Sequence, residues 1–265
     1  MDFLIGIFIS FMIAGIAYKK QSLNVSGFFS AILFGALIYV FGGLLLWACL
    51  IGFFISSSLL TKLHQKKDNE QINVQKKGRN YVQVISNALV ATIFSLLYFL
   101  LEKEIYLIAA VVSIATSNAD TWASEIGILS KGKTFSILNF KLLKKGSSGA
   151  VSVLGLMASI MGAAFIAFIF TVFYSFMFTF DILTILIYMF IIIFGGFLGS
   201  IVDSFLGLLI QAKYKGKKTG VLSEVKHMPN EQTILISGLA FITNDMVNFL
   251  SGLASSIVTI LLFMG

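Results

Sequence analysis

The chain has 265 residues, 58% hydrophobic and 12% charged, with a mean hydropathy of +0.96; an ordinary soluble domain carries about 25% charged residues, so a water-soluble globule is excluded. One proline, Pro229, and no polar tract longer than a loop exclude collagen, disorder and low complexity, and the single cysteine, Cys49, excludes a disulfide framework and a thiolate zinc site. The net charge of +7 would suggest nucleic acid in a soluble protein, but in a membrane protein its distribution matters more, and no nucleic-acid partner is expected.

A hydrocarbon core of about 30 Å takes roughly 20 apolar residues of helix to cross. Segmented on that basis, the chain gives eight spans: Asp2 to Tyr18, Val25 to Gly43, Leu44 to Thr61, Tyr81 to Leu101, Ile105 to Leu129, Ala150 to Phe180, Ile182 to Gln211 and Thr233 to Phe263. Only Gly42-Gly43 separates the second from the third. The expected fold class is therefore all-α, a polytopic integral-membrane helical bundle of about eight transmembrane helices, forming one domain over 1–265.

Basic residues test this segmentation, because they concentrate in cytoplasmic loops. With eight spans, every one of the 19 basic residues except Lys103 falls on one side. The loops on that side are Lys19 to Lys20, Lys62 to Arg79, Lys131 to Lys145 and Lys213 to Lys226. Both termini then lie outside a cell membrane whose cytoplasmic face carries the lysines. The first span does not read as a signal peptide: Asp2 stands where a basic region belongs, and Lys19-Lys20 follow the apolar stretch.

A carboxylate inside hydrocarbon is costly and points to function. Of the 12 acids, Asp120, Glu125, Asp203 and Asp245 fall inside spans. The first three sit in the cytoplasmic halves, and Asp245 is expected nearer mid-membrane. The densest polar segment is Ser113 to Glu125, S-I-A-T-S-N-A-D-T-W-A-S-E. On a helical wheel its polar residues cover a broad arc, so most of this helix must face the bundle interior or a wet cavity. Asn118 and Glu125 stack two turns apart, whereas Asp120 lies well over 90° round from both at about 100° per residue. In the seventh span Gly195, Gly196, Gly199, Ser200, Ser204 and Gly207 surround Asp203; small residues explain close helix packing but not the aspartate. In the eighth, Thr243, Asn244, Asp245 and Asn248 form a compact group. Gln83 and Asn87 of the fourth span read as helix-pairing residues.

Two loops could handle phosphate. Gly146-Ser147-Ser148-Gly149 follows Lys144-Lys145 and precedes an apolar helix, the makings of an anion site at a helix N-terminus, although a plain N-cap explains the serines nearly as well. Gly127 to Thr134 matches G-x-x-x-x-G-K-T, but a P-loop needs a preceding buried strand and a following helix in an α/β sheet, and a membrane helix precedes this one. His64 and His227 lie in separate cationic loops and support neither a zinc site nor a triad.

The strings N-A-D-T-W-A-S-E-I-G (Asn118 to Gly127), G-S-S-G (Gly146 to Gly149), G-S-I-V-D-S-F-L-G (Gly199 to Gly207) and T-N-D-M-V-N (Thr243 to Asn248) resemble the transmembrane protein 19 and phytyl-phosphate kinase family, domain of unknown function 92. Gln83 and Asn87 also match a family position. Here Lys141-Leu142-Leu143-Lys144-Lys145 replaces the family's usual proline-bearing loop, and the last loop lacks its usual cysteine. The resemblance implies, through a plant member, phosphorylation of phytyl monophosphate to the diphosphate with a nucleotide donor.

The expectation is a membrane-embedded kinase transferring phosphate from cytosolic CTP or ATP to a prenyl monophosphate whose tail stays in the lipid bilayer. Asp120 and Asp203, with Glu125 and Asp245, are expected to hold Mg²⁺. Asn118, Asn244 and Asn248 would orient water or phosphate, and Lys141, Lys144, Lys145, Gly146, Ser147, Ser148 and Gly149 would cradle the nucleotide phosphates. An ion-coupled transporter of a small or lipidic substrate is the alternative, weakened by the lack of polar residues in the outer halves of the spans. A packing protein without chemistry is a third reading, disfavoured by four intramembrane acids. Oligomeric state is not readable from the sequence.

Overall fold

The computed structural model describes residues 2–68, 78–143, 149–178, 181–228 and 231–263. Among these residues seven helices form the body. The first, α1, spans Asp2–Lys19 and the second, α2, Val25–Asp68. Gly43 interrupts α2 with φ +66° and ψ −170°, a conformation that glycine adopts without the Cβ penalty. The two arms of α2 fold back on each other there. The Tyr39 and Trp47 rings lie 6.4 Å apart, and a Cβ on Gly35 would sit 3.9 Å from Trp47 Nε1. In a straight helix those twelve residues would span about 18 Å. The Trp47 indole N–H then donates to Ser10 Oγ, tying the reversal to α1.

Helix α3 is Tyr81–Leu101, opened by a capping box between Asn80 and Gln83, and α4 is Glu104–Gly127. A short strand β1, Phe135–Ser136, pairs antiparallel with β2, Ala150–Val151. The sixth expected span is thus shortened: its first two residues are strand, and helix α5 runs Val153–Met177 behind the N-cap Ser152. Helix α6 is Ile182–Leu209, capped by Asp181.

The expected eighth span needs the largest correction. Residues from Thr233 do not begin a helix. Strands β3 (Lys213–Gly216), β4 (Leu222–Ser223), β5 (His227–Met228) and β6 (Glu231–Ser237) form an antiparallel sheet in the order β4-β3-β6-β5, and α7 starts only at Asn244, ending at Phe263. A short apolar run such as Thr233 to Ile236 does not by its hydrophobicity distinguish strand from helix, and its β-branched residues suit the strand. Gly238 ends β6 at φ +77°, with so little room that a Cβ would lie 2.0 Å from the Gln211 carbonyl oxygen. The fold is mostly helical with two small sheets, rather than all-α.

Among the described residues, five helices (α2, α3, α5, α6 and α7) are long and apolar enough to cross a membrane, and Phe3–Lys19 is a shorter apolar helix. The protein is an integral-membrane helical protein. At its centre stands α4, which packs against α2, α3, α5, α6 and α7. Leu107 to Ala119 are buried without interruption, so the polar residues Ser113, Thr116, Ser117 and Asn118 face neighbouring helices. The apolar half of α4 joins the main core with Ile166, Phe170 and Ile192.

The ends of the bundle differ in chemistry. At one end the Glu104 carboxylate accepts hydrogen bonds from the Tyr174 and Tyr188 hydroxyls, closing α4, α5 and α6 together. At the other end lie the C-termini of α1, α2, α4 and α6, the N-termini of α3, α5 and α7, the lysine-bearing loops and both sheets. Contacts there include Lys62 Nζ donating to the Lys20 carbonyl, Thr61 donating to Glu125, and Gly127 packed on Gly155.

Candidate functional site

Helices α4 and α6 run parallel, and glycines set their separation. Added Cβ atoms at Gly195, Gly196 and Gly199 would lie 2.8 Å from Val112, 2.8 Å from Ala115 and 2.2 Å from Thr116, respectively. With side chains four residues apart on one helical face, one further turn brings Asp120 of α4 and Asp203 of α6 to the same level. Both line one cavity of about 290 Å³ at the lysine-rich end. Asp203 is buried and accepts the Ser251 hydroxyl of α7 at 3.0 Å; the charge of Asp120 acts on it. One turn along α7, Ser255 bonds Thr116 at 2.8 Å, so α7 braces both carboxylate helices.

The rest of the cavity wall is built from hydroxyls and helix ends. Ser124, Thr134, Ser152, Ser159, Ser200 and Ser204 line it, with Gly149 and Ala150 at the approach to the N-terminus of α5 and Asn244 at that of α7. Helix N-termini present unpaired N–H groups and a partial positive charge, which suits anions. Ser159 Oγ is buried and has no hydrogen-bond partner among the described residues. Gly149, at φ +77°, lets the chain lie against Ser204 and Leu208 of α6, where a Cβ would come within 2.7 Å of Leu208. A third carboxylate enters from the sheet: Glu224, just after β4, lines the cavity beside Gln211. Withdrawal from water pushes the Glu224 carboxyl above its ordinary range, while a hydrogen bond from Gln211 and the charge of Lys213 pull it back. Lys213 is correspondingly pushed down by burial and lifted by Glu224.

The opposite face of α4 has another role. Asn118 is fully buried, donating to the Gly162 carbonyl of α5 at 2.7 Å and accepting from Ser56 of α2 at 2.8 Å. Glu125 takes the Thr61 hydroxyl of α2, and its charge acts on Arg79. Neither lines the cavity, in keeping with their angular separation from Asp120. Asp245 does not line it either, and lies in the first turn of α7 at the cavity's end of the bundle instead of mid-membrane, because β6 occupies the residues expected to begin that helix. Among the described residues no three His, Cys, Asp or Glu side chains are grouped closely enough to hold a metal by themselves.

A family model described as "Integral membrane protein DUF92" matches residues 8–256. The chain belongs to the DUF92 integral membrane family. Among its relatives are Protein PGR from Arabidopsis thaliana, 31% identical over 96% of this chain and 93% of that protein, and an uncharacterised membrane protein from Methanocaldococcus jannaschii, 28% identical over 80% and 87%. No solved structure matches.

In this DUF92 chain the four motifs are distributed unevenly about the cavity. Asp120, Asp203, Asn244 and Gly149 line it. Asn248 lies one turn along α7 from Asn244; its Oδ1 is buried with no hydrogen-bond partner among the described residues, and its carbonyl accepts from Ser251, the residue bonded to Asp203. Lys141 is exposed in the loop before β2. Lys144, Lys145, Gly146, Ser147 and Ser148 lie outside the described residues. Sequence reasoning passed over Glu224, counted among ordinary loop acids, and the hydroxyls Ser152 and Ser159; it met Thr134 only as the end of a rejected P-loop match and Ser200 only as a packing residue beside Asp203. The recurrence of Ser200, Asp203, Ser204 and Gly207 on one α6 face was the available signal for the last of these.

Proposed function

We propose that this protein is a membrane-embedded kinase that transfers the terminal phosphate of a cytosolic nucleotide, CTP or ATP, to a prenyl monophosphate. The observation that carries the reading is the pairing of Asp120 and Asp203 in a cavity rimmed by hydroxyls and two helix N-termini. Two carboxylates from separate helices in one hollow are costly without a cation, and anions alone would not offset them. The donor set suits Mg²⁺ in its usual mode with phosphates, in which one or two carboxylates and several waters complete the shell and no all-protein cage is needed. Asp120 and Asp203 would hold the ion, which when bound neutralises charge on the transferring phosphoryl group.

The remaining chemistry falls to this chain's own groups. An oxygen of the prenyl monophosphate attacks the terminal phosphorus of the nucleotide; the bond to the bridging oxygen breaks, leaving a nucleoside diphosphate and a prenyl diphosphate. Such transfer needs alignment and charge compensation more than covalent help. The α5 and α7 N-termini would meet phosphate oxygens, and Ser124, Ser159 and Ser200 would donate to them. Lys141, Lys144 and Lys145 with Gly146 to Gly149 would receive the nucleotide at the cytosolic rim.

Counting the arms of α2 separately and adding α1 and α4 gives eight crossings, with both termini outside a cell membrane and the cavity on the cytoplasmic face. The relative named Protein PGR supports a common fold, not an activity. Transport is the weaker reading, because the outer half of α4 is apolar from Leu107 to Val112 and wholly buried, offering no polar path. Incubating purified protein with Mg²⁺, each labelled nucleotide and prenyl monophosphates tests the proposal; labelled prenyl diphosphate is expected, and none from Asp120→Asn.

A further inference from the structure

The four-stranded sheet turns an apolar face away from the protein. Its register sets Leu222 of β4, Lys215 of β3 and Ile234 of β6 opposite one another in a single row, so all three side chains stand on one face. Leu222 is 62% exposed and Ile234 46%, with Lys215 exposed between them. Tyr214, on the other face, is buried and donates its hydroxyl to the Ala240 carbonyl. An antiparallel sheet with one face on its own core ordinarily offers polar residues on the other, whereas this one offers aliphatic side chains.

The sheet is held at the level where two helices leave and enter the bundle. Leu239 N–H donates to the Ile210 carbonyl and Ala212 N–H to the Ile242 carbonyl, each at 2.9 Å, and Gly238 packs on the Gln211 backbone. These bonds pinch the chain between the end of α6 and the start of α7, at the lysine-rich end. Exposed apolar residues then continue from Ile234 through Leu239 and Phe241 to Met246 in the first turn of α7. The apolar face of the sheet is therefore continuous with helix surface that a bilayer covers.

Charge selects the occupant. From β3 to the start of α7 the chain carries five lysines, Lys213, Lys215, Lys217, Lys218 and Lys226, against Glu224 and Glu231. Glu224 lines the Asp120 cavity, and the Glu231 carboxylate accepts from the Lys218 and Thr219 N–H groups. Lys217 joins Lys215 on the apolar face, because its ammonium donates to Gln232, two residues before Ile234 and so on the same side of β6. A second copy docked there by two-fold symmetry would set these lysines against their own counterparts. Anionic head groups answer them, and a lysine stem lies among aliphatic side chains while its ammonium reaches the head-group layer.

We infer that this sheet lies on the bilayer at the lysine-rich end, with Leu222 and Ile234 sunk among the first carbons of the lipid chains and Lys215 and Lys217 on the head groups of anionic phospholipids. The strands thus form a membrane-surface element, as amphipathic helices do elsewhere. The inference does not depend on the proposed kinase reaction, since neither nucleotide nor metal enters it.

The test puts bimane on Ile234→Cys, and separately on Phe241→Cys, in full-length protein reconstituted in nanodiscs. Cys49 is buried, so the unaltered protein serves as the unlabelled blank. Lipids brominated near the glycerol end of their chains should quench both reporters, and dissolved iodide should not. At equal mole fraction, brominated phosphatidylglycerol should quench at least about twofold more than brominated phosphatidylcholine. Lys215→Gln with Lys217→Gln should abolish that preference while the apolar row still quenches. Quenching by iodide would put the face in water, protection from both quenchers would put it under protein, and equal quenching by the two lipids would leave the lysines without a role; each result overturns the inference. If Ile234→Cys does not fold, Phe241→Cys, in the exposed segment before α7, decides between the same outcomes.

Discussion

Gly199 of α6 stands against Thr116 of α4 so closely that a Cβ on the glycine would lie 2.2 Å from the threonine hydroxyl oxygen and 2.4 Å from its methyl carbon. This contact fixes the height of Asp203 relative to Asp120, each four residues further along its own helix. Gly199→Ala should therefore force the helices apart, destabilising the protein by about 1–3 kcal/mol as overpacking does. Thr116→Ala removes two of the three clashing atoms and should recover part of that loss. Thermal melting of the two single variants and the double variant in detergent measures the coupling, which should be absent if the helices are not in contact here.

Asn118 and Asp120 are two residues apart yet should behave oppositely. Asn118→Ala takes one hydrogen bond each from the Gly162 carbonyl and from the Ser56 hydroxyl, which keeps the Phe53 carbonyl and the Trp122 indole as partners, a loss of about 0.5–1.5 kcal/mol per bond. It should lower the melting temperature. Asp120→Asn removes a charge from the cavity wall and should leave folding intact while reducing phosphoryl transfer at least about 100-fold, roughly 2.7 kcal/mol of transition-state stabilisation. Measuring melting and turnover on both variants separates the packing role from the chemical one.

Glu224 gives a pH prediction. Its folded-state pKa is raised above the ordinary value of 4.5, chiefly by desolvation. The folded protein thus holds this proton more tightly than the unfolded chain, so the group's contribution to stability falls as pH rises from 4.5 through the raised value. Glu224 stands exposed at the cavity rim, where solvent screens its charge, so Glu224→Gln should melt only slightly higher than the unaltered protein at pH 7.5, and the difference should vanish near pH 4.5. A variant that melts lower at pH 7.5 would show that the carboxylate is held by a compensating partner.

The helices were legible because length and apolarity are the same property that a bilayer requires. Gly42-Gly43 marked the α2 reversal for a local reason, the positive φ of Gly43, and the wheel of Ser113 to Glu125 separated Asp120 from Asn118 and Glu125 by helical angle alone. What could not be read was the return of the chain to the cavity. Lys213 to Ser237 forms its sheet through pairings such as Tyr214 with Leu235, set by register between distant residues and not by the composition of either strand. Glu224 joins Asp120 and Asp203 on the cavity wall through that sheet, so its place there had no local signature. Thr233 to Phe263 read as one span because strand β6 and helix α7 are both apolar.

Asp203 supplies a companion prediction. Asp203→Asn keeps an oxygen for the Ser251 hydroxyl, so the α6–α7 contact should persist and melting should not fall, while turnover drops as for Asp120→Asn. Ser251→Ala, which removes only the brace, should lower turnover less than either.

The account rests on Asp120 and Asp203 acting together on phosphate in the presence of a divalent cation. The direct measurement is transfer of labelled terminal phosphate from CTP or ATP to a prenyl monophosphate by purified protein, titrated with Mg²⁺ and repeated with Asp120→Asn and Asp203→Asn. Mg²⁺-dependent prenyl diphosphate formation, lost in both folded variants, is the predicted result; formation undiminished in either variant, or none from the unaltered protein with any nucleotide and chain length, would contradict it.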